Sequence, residues 1–208
     1  MPLQNRVTPF GTLIATTSRG AWMGNRGILH DANGNLTGRR WTTLGWVICR
    51  LSFKERHRNV MSPGRYTELF FLDEATALAA GHRPCFECRR ADAMRFRAAW
   101  QKAFGVENIG ADDMNRAVHP ERKRPIASRP VVDDAARLPD GAIIAPLDEP
   151  DSAWLIRNNV MMRWSSDGYS DPRPASRCHA SLLTPPSTIA VLSAGFAPQI
   201  HASACQVI

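Results

Sequence analysis

The sequence predicts an α+β fold, and three observations lead to this class. Residues 89–104 carry apolar side chains at helical spacing among arginines, and Gly105 follows them as a stop signal. Short apolar runs separated by turn residues follow Gly141 and indicate β-strands. A chain of 208 residues is long enough for one good core or two small ones. We therefore expect one compact body built from a mixed α/β unit over 1–105, a connecting Pro-rich region over 106–140 and a β-rich unit over 141–208.

In the first half, the pattern predicts three strands and a second, shorter helix. Asp73 can cap an alanine-rich helix over 74–80, and Gly81 can end it in the left-handed conformation. The glycine-rich stretch 18–43 indicates irregular structure, with arginines and tryptophans interleaved. The predicted strands cover residues 7–15, 44–53 and 65–72.

In the second half, a short helix over 112–118 precedes the Pro-broken stretch 119–125, which we expect to be exposed. Asn158-Asn159 predicts a two-residue hairpin turn between two strands. Residues 165–174 read as a loop, and Ser187 is expected to cap a last helix over 188–194 that Gly195 ends. The predicted strands cover 142–145, 153–157 and 160–164.

The most informative motif is the pair Cys85 and Cys88, presented by a turn that Pro84 stiffens. Two cysteines at this spacing can point at one tetrahedral metal ion, although the same spacing also occurs in redox pairs and by coincidence. The five cysteines are odd in number and irregularly spaced, which favours a reduced cytoplasmic setting over disulfides. No apolar run reaches 18 residues, so we expect no membrane span, and the first residues lack the apolar core of a signal peptide.

The flanks of this pair resemble the N-terminal zinc-binding and DNA-binding module of the Ada alkylation-repair family, over residues 44–92. In that module a helix ending Leu-Ala-Ala-Gly is followed by Arg-Pro and C-x2-C, as in 78–88 here. The resemblance implies that Cys49 corresponds to an earlier ligand at the end of a strand. Phe53 stands where the module has a second cysteine. In the family, the residue matching Cys49 accepts a methyl group from damaged phosphate.

The resemblance and the spacing together predict a zinc-centred first unit with Cys49, Cys85 and Cys88 as ligands. Three candidates remain for the fourth position: His57, which we prefer, His82, or a water or substrate group. A structural zinc is closed by four protein ligands, whereas a catalytic zinc keeps one position open. The identity of this ligand therefore separates a structural from an enzymatic site.

The charge of the chain favours a nucleic-acid partner. Its net charge is +7, and 23 of its 26 cations are arginine. Arginine forks onto phosphate and stacks on bases. An arginine bias also arises in genomes of high GC content, so the composition alone leaves both explanations open. The arginines expected to contact DNA are Arg39, Arg40, Arg50, Arg56, Arg58, Arg89 and Arg90.

Three functions are compatible with these residues. The first is a zinc-containing protein of DNA repair that removes or processes a damaged base. The second is a zinc-dependent transcription regulator without catalysis, and the third is an open-site zinc hydrolase with a small substrate. A cytoplasmic location, at the nucleoid in a bacterium, is expected. The weak candidates for a catalytic group are Cys49, Asp113, His119 and Asp167.

Aromatic residues of the last third offer a further site for a base. Trp154 lies in a predicted strand and is assigned to the core. Trp164 and Tyr169 are left with two alternatives, the core or the rim of a base-sized pocket.

Overall fold

The structure is a computed structural model that describes residues 1–55 and 59–205. It is an α+β fold, as the sequence predicts, with two six-stranded sheets and four α-helices in the described residues. The first sheet has the order β2-β1-β5-β3-β4-β6. Its strands are β1 (Gln4–Val7), β2 (Leu13–Ala15), β3 (Trp22–Asn25), β4 (Val47–Cys49), β5 (Leu69–Phe71) and β6 (Arg83–Pro84).

The first predicted strand, 7–15, is instead a hairpin. β1 and β2 pair antiparallel, and the amide of Gly11 donates to the carbonyl oxygen of Thr8 in the turn between them. Gly11 has φ +83°, a conformation that glycine adopts without strain. The stretch predicted to be irregular contains β3, which pairs with both β4 and β5 in the middle of the sheet. The other two predicted strands are shortened to β4 and β5.

The helices are α1 (Glu74–Ala79), α2 (Arg90–Phe104), α3 (Ala111–Lys123) and α4 (Pro186–Ser193). Asp73 caps α1 as predicted, because its carboxylate accepts a hydrogen bond from the Thr76 amide. Gly81 follows α1 with φ +83°, and Gly105 ends α2 with φ +63°. The prediction for 119–125 was wrong, because α3 continues through Pro120 to Lys123. α4 begins at Pro186, so Ser187 lies inside the helix and donates to Glu121 rather than capping.

The second sheet has the order β11-β10-β9-β8-β12-β7. Asn158 and Asn159 form the predicted turn, with φ +49° and +60°, between strands paired at Arg157 and Val160. The predicted loop 165–174 is largely a strand that forms a hairpin with β10. The strands are β7 (Val131–Val132), β8 (Ile143–Pro146), β9 (Trp154–Arg157), β10 (Val160–Ser165), β11 (Gly168–Pro174) and β12 (Ala180–Leu182). Short 3-10 helices cover Ile126–Ser128, Ala135–Arg137 and Ala202–Cys205.

One hydrophobic cluster connects the N-terminal sheet with the C-terminal segment of the chain. This cluster joins Phe71 of the first sheet and Phe96 of α2 with Val191, Leu192 and Phe196 of the C-terminal segment. The other two clusters lie on the second sheet, and one of them includes Leu72 after β5 and Ala75 of α1. Helix α4 therefore packs on α2 and α3 rather than on the second sheet alone. Among the described residues, no helix combines the length and apolar character needed to cross a membrane.

Candidate metal centre

Parallel pairing of two strands brings the first two cysteines together. β4 and β6 are parallel, with Val47 opposite Arg83 and Ile48 opposite Pro84. Cys49 is the last residue of β4, and Cys85 directly follows β6, so both lie at the same end of the sheet. The amide of Cys85 donates to the carbonyl oxygen of Ile48 at 3.0 Å, which continues the pairing up to the cysteines.

A tight turn between β6 and α2 adds the third cysteine. The amide of Glu87 donates to the Cys85 sulfur at 3.4 Å, and the amide of Arg89 donates to the Cys85 carbonyl oxygen at 3.0 Å. This folds Cys88 back beside Cys85, two residues before α2 begins. The Sγ atoms of Cys49, Cys85 and Cys88 lie within 4.8 Å of one another. Three sulfur atoms this close together could hold a metal ion.

The three thiols strongly influence one another's protonation. Hydrogen bonds from Cys49 and Cys88 lower the pKa of Cys85 to about 2. The same contact with Cys85, then with Cys88, raises the pKa of Cys49. For Cys88, the hydrogen bond with Cys49 lowers the pKa, but contact with Cys85 and burial outweigh it and raise the value. One thiolate shared among two thiols is a donor set for a soft cation, because metal binding replaces the two remaining protons.

A cleft of about 180 Å³ opens onto the three cysteines. Its wall includes Phe53, which lies beside the cysteines at the position where the Ada resemblance expects another thiol. The lining is mostly apolar, with carboxylates at Glu68 and Glu87 and a guanidinium at Arg50. The cleft therefore admits a small group to one side of the cysteine cluster.

No family model, curated protein or solved structure matches the chain. The Ada resemblance therefore rests on residues 44–92 of the sequence itself.

Within the described residues, no fourth cysteine, histidine, aspartate or glutamate joins the three-cysteine group. The preferred candidate, His57, lies outside the described residues. His82 does not serve: it is buried, and its Nε2 accepts a hydrogen bond from Arg26 at 3.4 Å. Its ring packs on Phe71 and Trp46, with centroid distances of 4.7 Å and 5.2 Å.

The arginines predicted to contact DNA have different environments. Arg39, Arg40, Arg50 and Arg90 are exposed, whereas Arg56 and Arg58 lie outside the described residues. Arg89 is a correction, because its guanidinium is fully buried and pairs with Glu74 at 2.7 Å and Asp92 at 2.8 Å. It also lies 3.8 Å from the centre of the Trp22 ring. Arg89 thus anchors the start of α2 and is not accessible to a phosphate.

The weak catalytic candidates, apart from Cys49, do not line the cleft at the cysteines. Asp113 accepts from the Gly110 amide and pairs with Arg116, as a helix-capping residue does, and the Gly110 contact lowers its pKa. His119 accepts from Arg122 at 2.9 Å and packs edge-on against Trp41. Asp167 is exposed in the β10–β11 turn. Asp113 therefore has the contacts of a structural residue. Asp113, His119 and Asp167 do not come together in one site.

The aromatic residues of the second sheet have structural partners. Trp154 is fully buried in the core, as predicted. The Tyr169 hydroxyl donates to Asp73 at 2.9 Å, and the Trp164 indole donates to the Thr76 hydroxyl at 3.0 Å. Both side chains therefore tie the second sheet to the start of α1, and Tyr169 is buried, whereas Trp164 is half-buried. Sequence reasoning missed Asp73 as the hub of these contacts, since only its capping role leaves a local signal.

Proposed function

We propose that the chain is a zinc-binding protein that acts on DNA, in repair or on damaged or modified DNA. The observation that carries the proposal is the convergence of Cys49, Cys85 and Cys88 within 4.8 Å. Sulfur ligands favour zinc among the common biological divalent cations, and tetrahedral zinc sites are often built on a C-x2-C turn. The resemblance of residues 44–92 to the Ada module adds DNA as the partner.

The charge distribution near the cysteines supports the DNA part of the proposal. Arg50 follows Cys49 directly and lines the cleft, and Arg90 is exposed at the first residue of α2. Together with the net charge of +7, these arginines provide cations for phosphate contacts beside the metal centre. DNA bound there would lie next to the cysteines.

Metal analysis tests the zinc assignment. We expect stoichiometric zinc in the wild type and in the control Cys205→Ser, since Cys205 is exposed and outside the cluster. Cys85→Ser should lose most of the zinc, because it removes one of three sulfur ligands. Full zinc content in Cys85→Ser would contradict the assignment.

Binding to intact and alkylated oligonucleotides tests the DNA assignment. We expect zinc-loaded wild type to bind DNA with an affinity that falls steeply with salt, because neutralised phosphates release counterions. Preference for alkylated DNA, or release of a product from it, would support the repair function. Binding that does not depend on salt, or no binding to single or double strands at low salt, would overturn it.

An open-site zinc hydrolase is the second candidate, and the cleft beside the cysteines favours it. A metal held by Cys49, Cys85 and Cys88 would keep a fourth position for a water unless His57 filled it, and such a water would gain acidity. X-ray absorption of zinc-loaded wild type and His57→Ala separates the cases. Loss of nitrogen scattering in the variant would indicate a closed site. Identical spectra with oxygen scattering would favour the hydrolase.

A further inference from the structure

Four buried arginines lack a carboxylate partner among the described residues: Arg83, which donates to the Asn115 side chain, and three that donate to backbone carbonyl oxygens of distant residues. Arg26, Arg122 and Arg129 are 2%, 4% and 9% exposed. Their guanidinium groups donate to backbone carbonyl oxygens: Arg26 to Gly11 at 2.8 Å, Arg122 to Gly81 at 2.7 Å, and Arg129 to Leu183 at 2.8 Å. Arg89 provides the contrast within the same chain, because it is equally buried and pairs with two carboxylates.

Burying cations without a counterion is costly, so these arginines call for a physical reason. Burial, followed by repulsion from Arg122 and Arg40, lowers the pKa of Arg26 to about 9. The Nη2 atom of Arg26 is buried and has no hydrogen-bond partner among the described residues. Both Arg26 and Arg122 also stack on Trp46, at 4.3 Å and 3.8 Å from its ring centre. The ring holds both cations in place but does not neutralise their charge.

One of the three, Arg129, lines an open cleft of about 370 Å³. Arg40, Arg124 and Arg129 line it, and we call it the arginine cleft. Phe10 and Thr12 form part of its wall, and Gly11 between them accepts the hydrogen bond from Arg26. Asp151 is the one acidic residue of the described lining. The lining thus has three arginines and one carboxylate, and a fourth arginine, Arg26, is buried behind it.

An aromatic side chain lies beside Arg40 of the arginine cleft. Trp41 follows Arg40 and is half-buried. The Arg40 guanidinium and the Lys123 ammonium lie 5.9 Å and 5.7 Å from its ring centre, and His119 packs against it edge-on. Proteins bind unstacked and single-stranded bases by stacking them on aromatic rings that lie among cationic side chains. This feature favours a polynucleotide over a free phosphate ion.

We propose that the arginine cleft binds a backbone phosphate of a polynucleotide, with Arg40 and Arg124 as direct contacts. The positive charges of Arg129 in the lining and of Arg26, which donates to Gly11 behind the wall, strengthen the attraction. This inference rests on the proposed DNA-binding function and adds a second contact surface, which shares no lining residue with the cysteine cleft. It extends the interface beyond residues 44–92, to α3 and the turn after it.

The test compares two double variants with the same change in charge. Arg40→Gln/Arg124→Gln alters two exposed residues of the cleft, and Arg95→Gln/Arg116→Gln alters two exposed residues paired with Asp92 and Asp113. Binding of a labelled duplex is measured by fluorescence anisotropy over a range of salt, after circular dichroism has shown that both variants are folded. We expect the cleft variant to lower the salt slope by about 1, for the one phosphate contacted, and to weaken binding about tenfold or more at ~0.1 M salt. The control should stay close to the wild type.

Two other results would contradict the cleft assignment or the DNA-binding function. If the wild type binds DNA and both double variants weaken it equally, the effect is one of net charge and the cleft assignment is wrong. If the wild type binds no DNA, the proposed function fails, and this contact fails with it. Inorganic phosphate is the last ligand to be tested. If it raises the melting temperature of the wild type as much as the oligonucleotide does, the site binds a free anion rather than a polynucleotide.

Discussion

At the residue scale, His82 is a neutral histidine enclosed by cations. It is 1% exposed, and Arg26 donates to its Nε2 while its Nδ1 has no partner among the described residues. Burial, then the charges of Arg26, which follows β3, and of Arg122 on α3, hold its pKa well below the usual value. The folded state therefore keeps this ring neutral at a pH where an unfolded chain would protonate it.

This difference predicts a pH dependence of stability. Because the folded pKa of His82 is depressed, its contribution is present above the unfolded pKa of about 6.5 and is lost as pH falls below it, by up to about 1.4 kcal/mol per pH unit. His82→Gln should remove this slope from the free energy of unfolding between pH 7.5 and 5.5, as measured with urea in excess zinc. His179→Gln, at an exposed histidine, is the control. Parallel pH profiles for His82→Gln and wild type would contradict the assignment.

The sequence was sufficient to predict that three cysteines converge, but not to predict which arginines are buried. The C-x2-C spacing and the family resemblance both depend on neighbouring residues, and the structure brings Cys49, Cys85 and Cys88 together as expected. The burial of Arg89 depends on Glu74, which is distant in sequence and reaches it only through the tertiary fold. A local pattern cannot distinguish such an arginine from the exposed Arg90 that follows it.

At the element scale, the end of α1 and the last turn of α3 fit together at a glycine. A Cβ added to Gly81 would lie 2.5 Å from Cδ and 2.7 Å from Cβ of Arg122. The missing side chain lets the Arg122 stem pass and its guanidinium reach the Gly81 carbonyl oxygen. Gly81 thus ends α1 and also leaves the space in which the buried Arg122 side chain packs.

Gly81→Ala should therefore destabilise the protein more than Gly105→Ala. Both glycines have positive φ, so each alanine costs about 1–2 kcal/mol in the left-handed region. Only Gly81→Ala also displaces Arg122, since the space around Gly105 is open to 4 Å. Urea unfolding of the two variants gives the comparison. Equal losses of unfolding free energy would show that Arg122 adjusts without strain.

Two of the elements that the sequence misassigned contain prolines. Residues 119–125 were expected to be broken by Pro120, but Met114, Val118 and Arg122 form one buried face that carries α3 past it. Pro172 and Pro174 indicated a loop, but β11 is an edge strand that pairs only with β10 among the strands of the described residues. Proline is tolerated at an edge because the missing amide hydrogen is not needed there. Tertiary packing therefore overrides the local signal in both elements.

At the scale of the whole molecule, Asp73 joins the two sheets. It follows β5 of the first sheet, accepts from the Thr76 amide and hydroxyl in α1, and accepts from Tyr169 of β11 in the second sheet. The amide of His201, near the C-terminal end of the described chain, also donates to it. Burial raises the pKa of Asp73 even though these four donors lower it. The carboxyl group is thus a shared anchor for distant parts of the chain.

Tyr169→Phe should weaken this anchor. Removing the hydroxyl leaves the buried Asp73 Oδ2 with the His201 amide as its remaining described donor, which costs about 1–3 kcal/mol of unfolding free energy. Ser170→Ala removes a hydroxyl from an exposed neighbour on the same strand and should be nearly neutral. Thermal and urea unfolding measure both variants. A Tyr169→Phe protein as stable as Ser170→Ala would mean that the contact contributes nothing net.

The origin of the three cysteines in two distant segments has a consequence for chain entropy. Cys49 ends β4, whereas Cys85 and Cys88 follow β6, a two-residue strand at the edge of the sheet, and β5 and α1 lie between them in the sequence. A metal ion bound to all three would act as a removable cross-link that closes a loop of a few tens of residues. Disulfides that close comparable loops restrict the unfolded chain by about 3–4 kcal/mol. The stability of the fold would then follow the free metal concentration, and chelation would release the edge of the sheet first.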